Sequence, residues 1–192
     1  MRHTSVQHNL LTGKRNRLDP RFYLGEETVK SITANDGEKF VKLGNLLDYF
    51  ADGSRLTSCE SGIPILRLNN LNACDIHFTP LRYVTIENNP KWTEVKPKDV
   101  LFTQAAEPFR AAVLPESIQE KITVSSEITV LRPKSAIIPE YLAAILSTRS
   151  MGKILRDLAY RRSPTALRRL RLKDIAEIPI PLPGRALQEK IK

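Results

Sequence analysis

Residues 173–192 read KDIAEIPIPLPGRALQEKIK, and this stretch organises our interpretation of the rest of the chain. Prolines at positions 179, 181 and 183 fix φ, remove backbone donors and hold the preceding residues in extended geometry. We therefore predict a stiff extended segment rather than a hydrogen-bonded strand. Ile178, Ile180 and Leu182 alternate with the prolines, so they should point to one side and lie against a hydrophobic surface.

A helix is predicted after Gly184, because Leu187 and Ile191 have the i, i+4 spacing of one helix face. The sequence stops within about two turns, and a helix of that length is only marginally stable alone in water. We expect either that the sequence is a piece of a longer chain or that this helix needs a partner.

The motif I-P-I-P-L-P, followed by a Gln three residues before an Ile, resembles a segment of the specificity (S) subunits of type I restriction-modification systems. In that family the segment leads from a target recognition domain into a long conserved helix, and Gln188 and Ile191 match the family's Gln and Ile. Other matching segments occur in the family's order along nearly the whole chain: RLDPRFY at 17–23, GIPILRL at 62–68, DVLFT at 99–103, residues 125–133, and PEYL at 139–142. Two features depart from the family pattern, namely the sequence GRAL before Gln188 and the lack of glycine in the loop 105–110.

Residues 1–16 are polar, basic and without hydrophobic pattern, which predicts a flexible basic arm. The resemblance implies a DNA target recognition domain over 17–183 and the start of a spacer or dimerisation helix over 184–192. It also implies a non-catalytic subunit in the cytoplasm of a prokaryote. Its partners would be double-stranded DNA, a methyltransferase (M) subunit and a restriction (R) subunit, and those subunits would bind S-adenosylmethionine, ATP and Mg²⁺. Leu187, Gln188 and Ile191 would form the subunit or helix interface. A half-length subunit would also pair with a second copy of itself.

The hydrophobic pattern independently predicts an α/β (α+β) domain, built on a twisted mixed or antiparallel sheet with packed helices. Apolar runs bounded by turn residues predict the strands, and helical spacing predicts a helix over 43–50 and two helices after Pro139. The predicted strands cover residues 63–68, 73–79, 83–86, 100–103, 111–114 and 127–132. We find no internal repeat, so we expect one recognition unit.

Composition favours a partner with negative charge. The 192 residues contain 30 Lys and Arg against 21 Asp and Glu, giving a formal net charge of +9. Such a balance is typical of proteins that bind nucleic acid, although general solubility also explains it. Cys59 and Cys74 form no C-x-x-C pair, and the isolated glycines form no nucleotide-binding loop, so neither a zinc site nor a nucleotide site is predicted. No apolar run is long enough to span a membrane.

The densest charge cluster lies between residues 153 and 173, where eight basic side chains oppose only Asp157. The basic residues are Lys153, Arg156, Arg161, Arg162, Arg168, Arg169, Arg171 and Lys173. Arginine can bind phosphate or guanine through two parallel hydrogen bonds, so this cluster predicts DNA contacts. The alternative is a solvated helix face.

Within this cluster we predict a DNA-facing loop around Pro164, which should end the preceding helix. Its candidate contacts are Arg161, Arg162, Ser163 and Thr165, and the competing interpretation is a plain connector between helices. Arg168 and Arg169 alternate with leucines that should anchor them.

Four further residues are predicted to contact DNA from loops that follow strands. Asn69, Asn70 and Gln104 carry amides that suit adenine, and Arg110 suits guanine. Each is equally compatible with an ordinary turn residue. Arg67 is a weaker candidate, since it is also compatible with a charged residue on an edge strand.

Three functional hypotheses remain open at this point. The first is the S subunit or one half of it. The second is the recognition domain of a fused methyltransferase or restriction enzyme whose catalytic part lies outside this chain. The third, an RNA-binding module, lacks the aromatic-rich strand that such modules use to stack bases.

Overall fold

A computed structural model describes residues 40–85, 92–105, 108–160 and 169–190. The strands are β1 (Phe40–Lys42), β2 (Leu47–Asp52), β3 (Ser58–Cys59), β4 (Ile63–Leu66), β5 (Leu71–Asn72), β6 (Asp75–Ile76), β7 (Arg82–Val84), β8 (Glu94–Val95), β9 (Val100–Thr103), β10 (Ala111–Val113), β11 (Ile122–Val124), β12 (Ile128–Pro133) and β13 (Pro179–Pro181). The helices are α1 (Pro139–Leu146), α2 (Arg149–Tyr160), α3 (Leu172–Ala176) and α4 (Arg185–Glu189), with 3-10 turns at Leu43–Leu46 and Leu68–Asn70.

A four-stranded antiparallel sheet with the order β10-β9-β12-β2 forms the central layer. Successive side chains of a strand point to opposite faces, and here both faces are covered. In β9, Val100 and Phe102 join one hydrophobic core, whereas Leu101 joins a second. In β12, Leu131 joins the first core and Val130 the second. The sheet is therefore buried on both sides.

The first core lies between this sheet and the helices. Pro139 occupies the first turn of α1, where a missing N–H costs nothing, so the predicted helix start is confirmed. Leu142 and Leu146 of α1 and Leu155 of α2 are fully buried in this core. None of the helices in the described ranges is long and apolar enough to cross a membrane.

The second core lies between the central sheet and a five-stranded mixed sheet with the order β3-β7-β4-β11-β8. Its β4 and β11 are parallel, and its other neighbouring strands are antiparallel. Leu66 and Val124 contribute fully buried side chains from these two strands. Mixed and antiparallel sheets with packed helices confirm the predicted fold class.

The proline-rich segment differs in part from its prediction. Ile178 and Ile180 are fully buried and Leu182 packs against the first core, as expected. The prediction that this segment is not a hydrogen-bonded strand is wrong, because β13 pairs antiparallel with β1. The pair has only two strands, so Pro179 and Pro181 lie on an edge where their missing N–H groups break no continuous ladder.

The helix predicted over 43–50 is also wrong in extent. Leu43–Leu46 forms one 3-10 turn, and the chain then extends into β2. The carbonyl of Ile178 accepts a hydrogen bond of 2.8 Å from the backbone N–H of Leu43, and β2 pairs with β12 over its whole length. These tertiary hydrogen bonds outweigh a helical spacing that spans only two turns.

An ion pair with a buried carboxylate joins the two inner strands of the central sheet, because Asp99 directly precedes β9 and Arg132 lies in β12. Asp99 is fully buried, and its two carboxylate oxygens accept hydrogen bonds of 2.8 Å from Nε and Nη2 of Arg132. A third bond of 2.8 Å comes from the backbone N–H of Lys96. The hydrogen bond to Asp99 is the main cause of the raised pKa of Arg132, whose guanidinium also lies 5.0 Å from the ring centre of Tyr49.

We predict that Asp99→Asn lowers the free energy of unfolding by about 3 kcal/mol, because it breaks a buried pair and leaves the Arg132 cation without its partner. Urea denaturation followed by circular dichroism would measure the loss. Lys42→Met is the matched control, since its ion pair with Glu177 is exposed on both sides and should contribute less than about 1 kcal/mol. Equal losses in the two variants would contradict the prediction.

Gly53 lies where β2 leaves the central sheet and passes the end of β11. Its N–H donates to the carbonyl of Ile128 at 2.8 Å, and the N–H of Ser54 donates to that of Val124 at 3.0 Å. A Cβ atom at position 53 would overlap the carbonyl oxygens of Val124 and Ser125. Only glycine permits this close approach of the backbones.

Gly53→Ala should therefore destabilise the fold by about 3 kcal/mol, since neither backbone can move without breaking these hydrogen bonds. Thermal unfolding would show the loss as a lowered Tm. Gly184→Ala provides the control, because a Cβ atom there meets nothing within 4 Å. A Gly53→Ala variant as stable as Gly184→Ala would show that the approach is not constrained.

Candidate nucleic-acid interface

The residues predicted to contact DNA divide into two groups. Arg161, Arg162, Ser163, Thr165 and Arg168 lie outside the described residues, as does most of the basic cluster's loop. Asn69, Asn70, Gln104, Arg110 and Arg169 lie within the described ranges. We predicted all five to contact DNA, but Asn70 and Gln104 are buried.

Gln104 and Arg169 are brought together at one end of the central sheet. Gln104 follows β9 and is fully buried, and its Oε1 accepts a hydrogen bond of 2.5 Å from Nε of Arg169. Its Nε2 donates to Oδ1 of Asp52 and to Oγ1 of Thr129. The whole amide is therefore used inside the protein, and Gln104 acts here as a support for Arg169.

Arg169 is held by several further contacts. Its Nη2 donates to the backbone carbonyl of Ser126 and lies 3.6 Å from Oδ2 of Asp52. The next residue, Leu170, donates its N–H to the carbonyl of Gln104 at 3.1 Å. A third of the Arg169 side chain remains exposed. The residue that directly follows the basic segment 161–168 is thus fixed to the end of the sheet with part of its side chain exposed.

Asn70 also has a supporting position. It is 6% exposed, and its Oδ1 accepts a hydrogen bond of 3.0 Å from the N–H of Arg67. Its Nδ2 donates to the carbonyls of His77 at 2.9 Å and Pro80 at 3.2 Å. In this conformation the amide stabilises the 3-10 turn after β4, whereas the neighbouring Asn69 is exposed.

Arg110 joins the end of β9 to β5. Its N–H donates to Oγ1 of Thr103 at 2.8 Å, and its Nη1 donates to the carbonyl of Leu71 at 2.9 Å. The side chain is half-buried. Of the five described candidates, Asn69 is exposed and Arg110 and Arg169 are half-buried, whereas Asn70 and Gln104 are buried. Asn70, Gln104 and Arg110 support the surface from within.

Sequence reasoning did not find the groove that lies beside this cluster. The groove has a volume of about 410 Å³ and is lined by Ser54, Arg55, Leu56, Thr57, Ile65, Arg67, Ser125, Ser126 and Glu127. Nη2 of Arg67 donates to Oγ of Ser58 at 2.6 Å, and Arg55 is exposed. A signal existed in the sequence, because Ser54, Arg67 and Ser125 each follow a strand within two residues, but it required knowing which strand ends meet.

The predicted interface residues on α4 also differ in exposure. Leu187 is 52% exposed, as a docking position requires. Gln188 is 2% exposed and turned into its own domain, where Oε1 accepts a hydrogen bond of 2.9 Å from the N–H of Ile138. Its Nε2 donates to the carbonyls of Pro183 and Ala136 at 2.9 and 3.3 Å. Gln188 thus anchors α4 to the loop before α1, and Ile191 lies outside the described residues.

The described residues hold no group of three or more His, Cys, Asp or Glu side chains placed to bind a metal ion. Cys59 and Cys74 are both free thiols. Arg169 and the groove residues Arg55, Arg67 and Ser125 form a polar surface, and their side chains carry groups that can donate hydrogen bonds to an anion.

Comparison with known proteins gives no match to any family model and none to any curated protein. Solved structures do match. The HsdS subunit from Thermoanaerobacter tengcongensis is 18% identical with a TM-score of 0.55, over 89% of this chain and 43% of that one. The type I restriction-modification system S subunit from M. genitalium is 15% identical with a TM-score of 0.51, over 89% and 44%.

The type IIG restriction endonuclease BpuSI is 13% identical with a TM-score of 0.62, over 91% of this chain and 28% of that one. The chain spans less than half the length of each of these proteins. The resemblance predicted from the sequence is confirmed at the level of the fold: this chain is built like part of a type I restriction-modification S subunit.

Proposed function

We propose that this chain recognises a specific sequence in double-stranded DNA, as the S subunit of a type I restriction-modification complex or as one half of it. The observation that carries the proposal is the fold shared with S subunits over 89% of the chain. In this role the chain directs a partner methyltransferase subunit and a restriction subunit to a bipartite site. It works in the cytoplasm, where the DNA is.

The charge distribution supports this proposal. A net charge of +9 attracts the phosphate backbone, and Arg169 is fixed at the sheet end directly after the basic segment 161–168. Phosphate contacts position a protein on DNA, and side chains that reach base edges give specificity. Arg161, Arg162, Ser163, Thr165 and Arg168 remain our predicted contacts, together with Asn69 and Arg169.

The proposal assigns catalysis to the partner subunits. Methyl transfer with S-adenosylmethionine and cleavage driven by ATP with Mg²⁺ belong to the M and R subunits, and this chain contributes recognition. The exposed Leu187 on α4 supplies an apolar position on which another helix can pack. A half-length subunit would use this helix to pair with a second copy and would read an inverted repeat.

A second candidate function follows from the match to BpuSI, a restriction endonuclease. The match covers 28% of the BpuSI chain. This chain would then be the recognition domain of a fused methyltransferase or restriction enzyme. The two candidates differ in whether a separate methyltransferase gene is needed for modification of DNA.

The proposed function predicts that a split DNA motif becomes methylated only when this gene accompanies that of its methyltransferase subunit. Long-read methylation mapping would compare a host carrying both genes with a host carrying the methyltransferase gene alone. A symmetric motif indicates a half-length subunit, and an asymmetric motif indicates one of two different recognition domains.

Identical methylation in the two hosts would contradict the S-subunit role. Methylation of a motif in a host that carries only this gene, in its complete form, would support the fused enzyme. A third host carries the methyltransferase gene and the Gly53→Ala variant of this gene. It tests whether methylation of the motif requires a stably folded recognition domain.

Replacing Arg161 and Arg162 together by Ala should weaken DNA binding and lower the slope of log K against log salt by about 0.9 for each phosphate that the variant no longer binds. Fluorescence anisotropy with a labelled duplex, over a series of NaCl concentrations, would measure the slope. Lys42→Ala with Lys190→Ala removes the same charge from two exposed positions and serves as the control. A slope equal to that of the wild type would remove the loop from the phosphate interface.

A further inference from the structure

Two buried polar atoms in the groove beside Arg169 have no hydrogen-bond partner among the described residues. They are Nε of Arg67 and Oγ of Ser125. Buried polar groups in folded proteins are nearly always paired, so each exception calls for a physical explanation. Both of these residues line the same groove of about 410 Å³.

The topology explains why these two residues are neighbours. β4 and β11 are parallel, with Leu66 opposite Val124, so the residues that follow each strand emerge at the same edge of the sheet. These residues are Arg67 and Ser125. The N–H of Ser125 donates to the carbonyl of Leu66 at 2.9 Å, which extends the pairing one step beyond the strands.

Arg67 is held in place before any ligand arrives. Asn70 accepts a hydrogen bond from the Arg67 N–H at 3.0 Å, and Oγ of Ser58 accepts one from Nη2 at 2.6 Å. These bonds fix the backbone and one edge of the guanidinium. Side chains that are already ordered lose less entropy when a ligand binds.

The groove carries more positive than negative charge. Arg55 and Arg67 are its two basic lining residues and Glu127, which is exposed, is its single acidic one. Thr57, Ser125 and Ser126 add hydroxyl donors. A guanidinium with neighbouring hydroxyl groups matches the oxygens of a phosphate, which accept several hydrogen bonds at once.

We infer that this groove binds a phosphodiester of the DNA backbone, with Arg67 and Ser125 as the donors, and that a small movement of the groove wall exposes their buried Nε and Oγ atoms to it. The inference rests on the proposed function, adds Ser125 to it, and gives a definite role to Arg67, which was only a weaker candidate in the sequence. Ser126, on the groove wall, also accepts the hydrogen bond from Arg169. A phosphate in the groove therefore fixes one DNA strand beside Arg169. Asn70 serves as a positioning residue, because it holds the backbone of Arg67.

The first test is Arg67→Met, which keeps the length of the side chain and removes its charge. The affinity should fall by the same factor for a duplex that carries the motif found by methylation mapping and for a mismatched duplex. The reason is that a phosphate contact carries no sequence information. The slope of log K against log NaCl should fall by about 0.9. Arg185→Met, at the other end of the domain in an exposed pair with Glu189, is the matched control and should leave the slope unchanged.

A second variant tests the site without removing charge. Ser125→Ala removes a hydroxyl that has no partner in the described structure, so the fold should not suffer. Affinity for the duplex should fall while the salt slope stays at the wild-type value. Wild-type affinity in Ser125→Ala would overturn the role of this hydroxyl in the site.

Nuclear magnetic resonance of the arginine Nε–H groups gives a direct readout on the wild-type chain. The signal of Arg67, assigned by its loss in Arg67→Met, should shift when a duplex is added. Inorganic phosphate at the same phosphate concentration should shift it far less, because a free anion brings no neighbouring contacts. Equal responses to both would show a general anion site and overturn the assignment to DNA.

The outcomes separate this inference from the proposed function. A wild-type salt slope in folded Arg67→Met, or a change in its preference between the two duplexes, overturns the phosphate site and leaves DNA recognition standing. A wild-type chain that binds no duplex overturns both. A lowered slope with unchanged preference supports the site.

Discussion

Coverage of both faces of the central sheet is the constraint on which the rest of the molecule depends. Val100 and Phe102 face the helices while Leu101 faces the second sheet, so neither face of β9 is open to a ligand. Binding is then left to the ends of the strands, where backbone groups and polar side chains meet water. The Gln104–Arg169 cluster and the groove beside Arg67 both lie at such ends. The strands thus place apolar side chains in the two cores and polar side chains at their ends.

Local pattern predicted the elements that depend on local sequence. The strand at 100–103 and the helix beginning at Pro139 were found because a continuous apolar run and a proline at a helix start act over a few residues. The strands β8 and β11 were missed because two or three residues give no period, and they exist only through pairing with each other and with β4. The β13 segment shows the same limit, since its partner β1 lies about 140 residues away in the sequence.

The sequence allowed us to select some residues of the candidate site, but not to predict what each of them contacts. Gln104 and Arg169 were both selected, yet their hydrogen bond depends on the register that places Thr129 opposite Asp52 and next to Phe102. No sequence pattern encodes that register. Arg67 was undervalued for the same reason: its neighbour Ser125 is identified only by the parallel pairing of β4 with β11.

The buried amide of Gln188 has a mechanical consequence. Three hydrogen bonds join it to the loop before α1 and to Pro183, so α4 leaves the domain through a stiff joint and not through a flexible tether. A flexible tether would let a following segment sample a large volume at low effective concentration. A stiff joint keeps the direction of α4 constant relative to the domain. Any partner that packs on α4 would therefore lie at a fixed distance and rotation from the strand ends that hold Gln104 and Arg169.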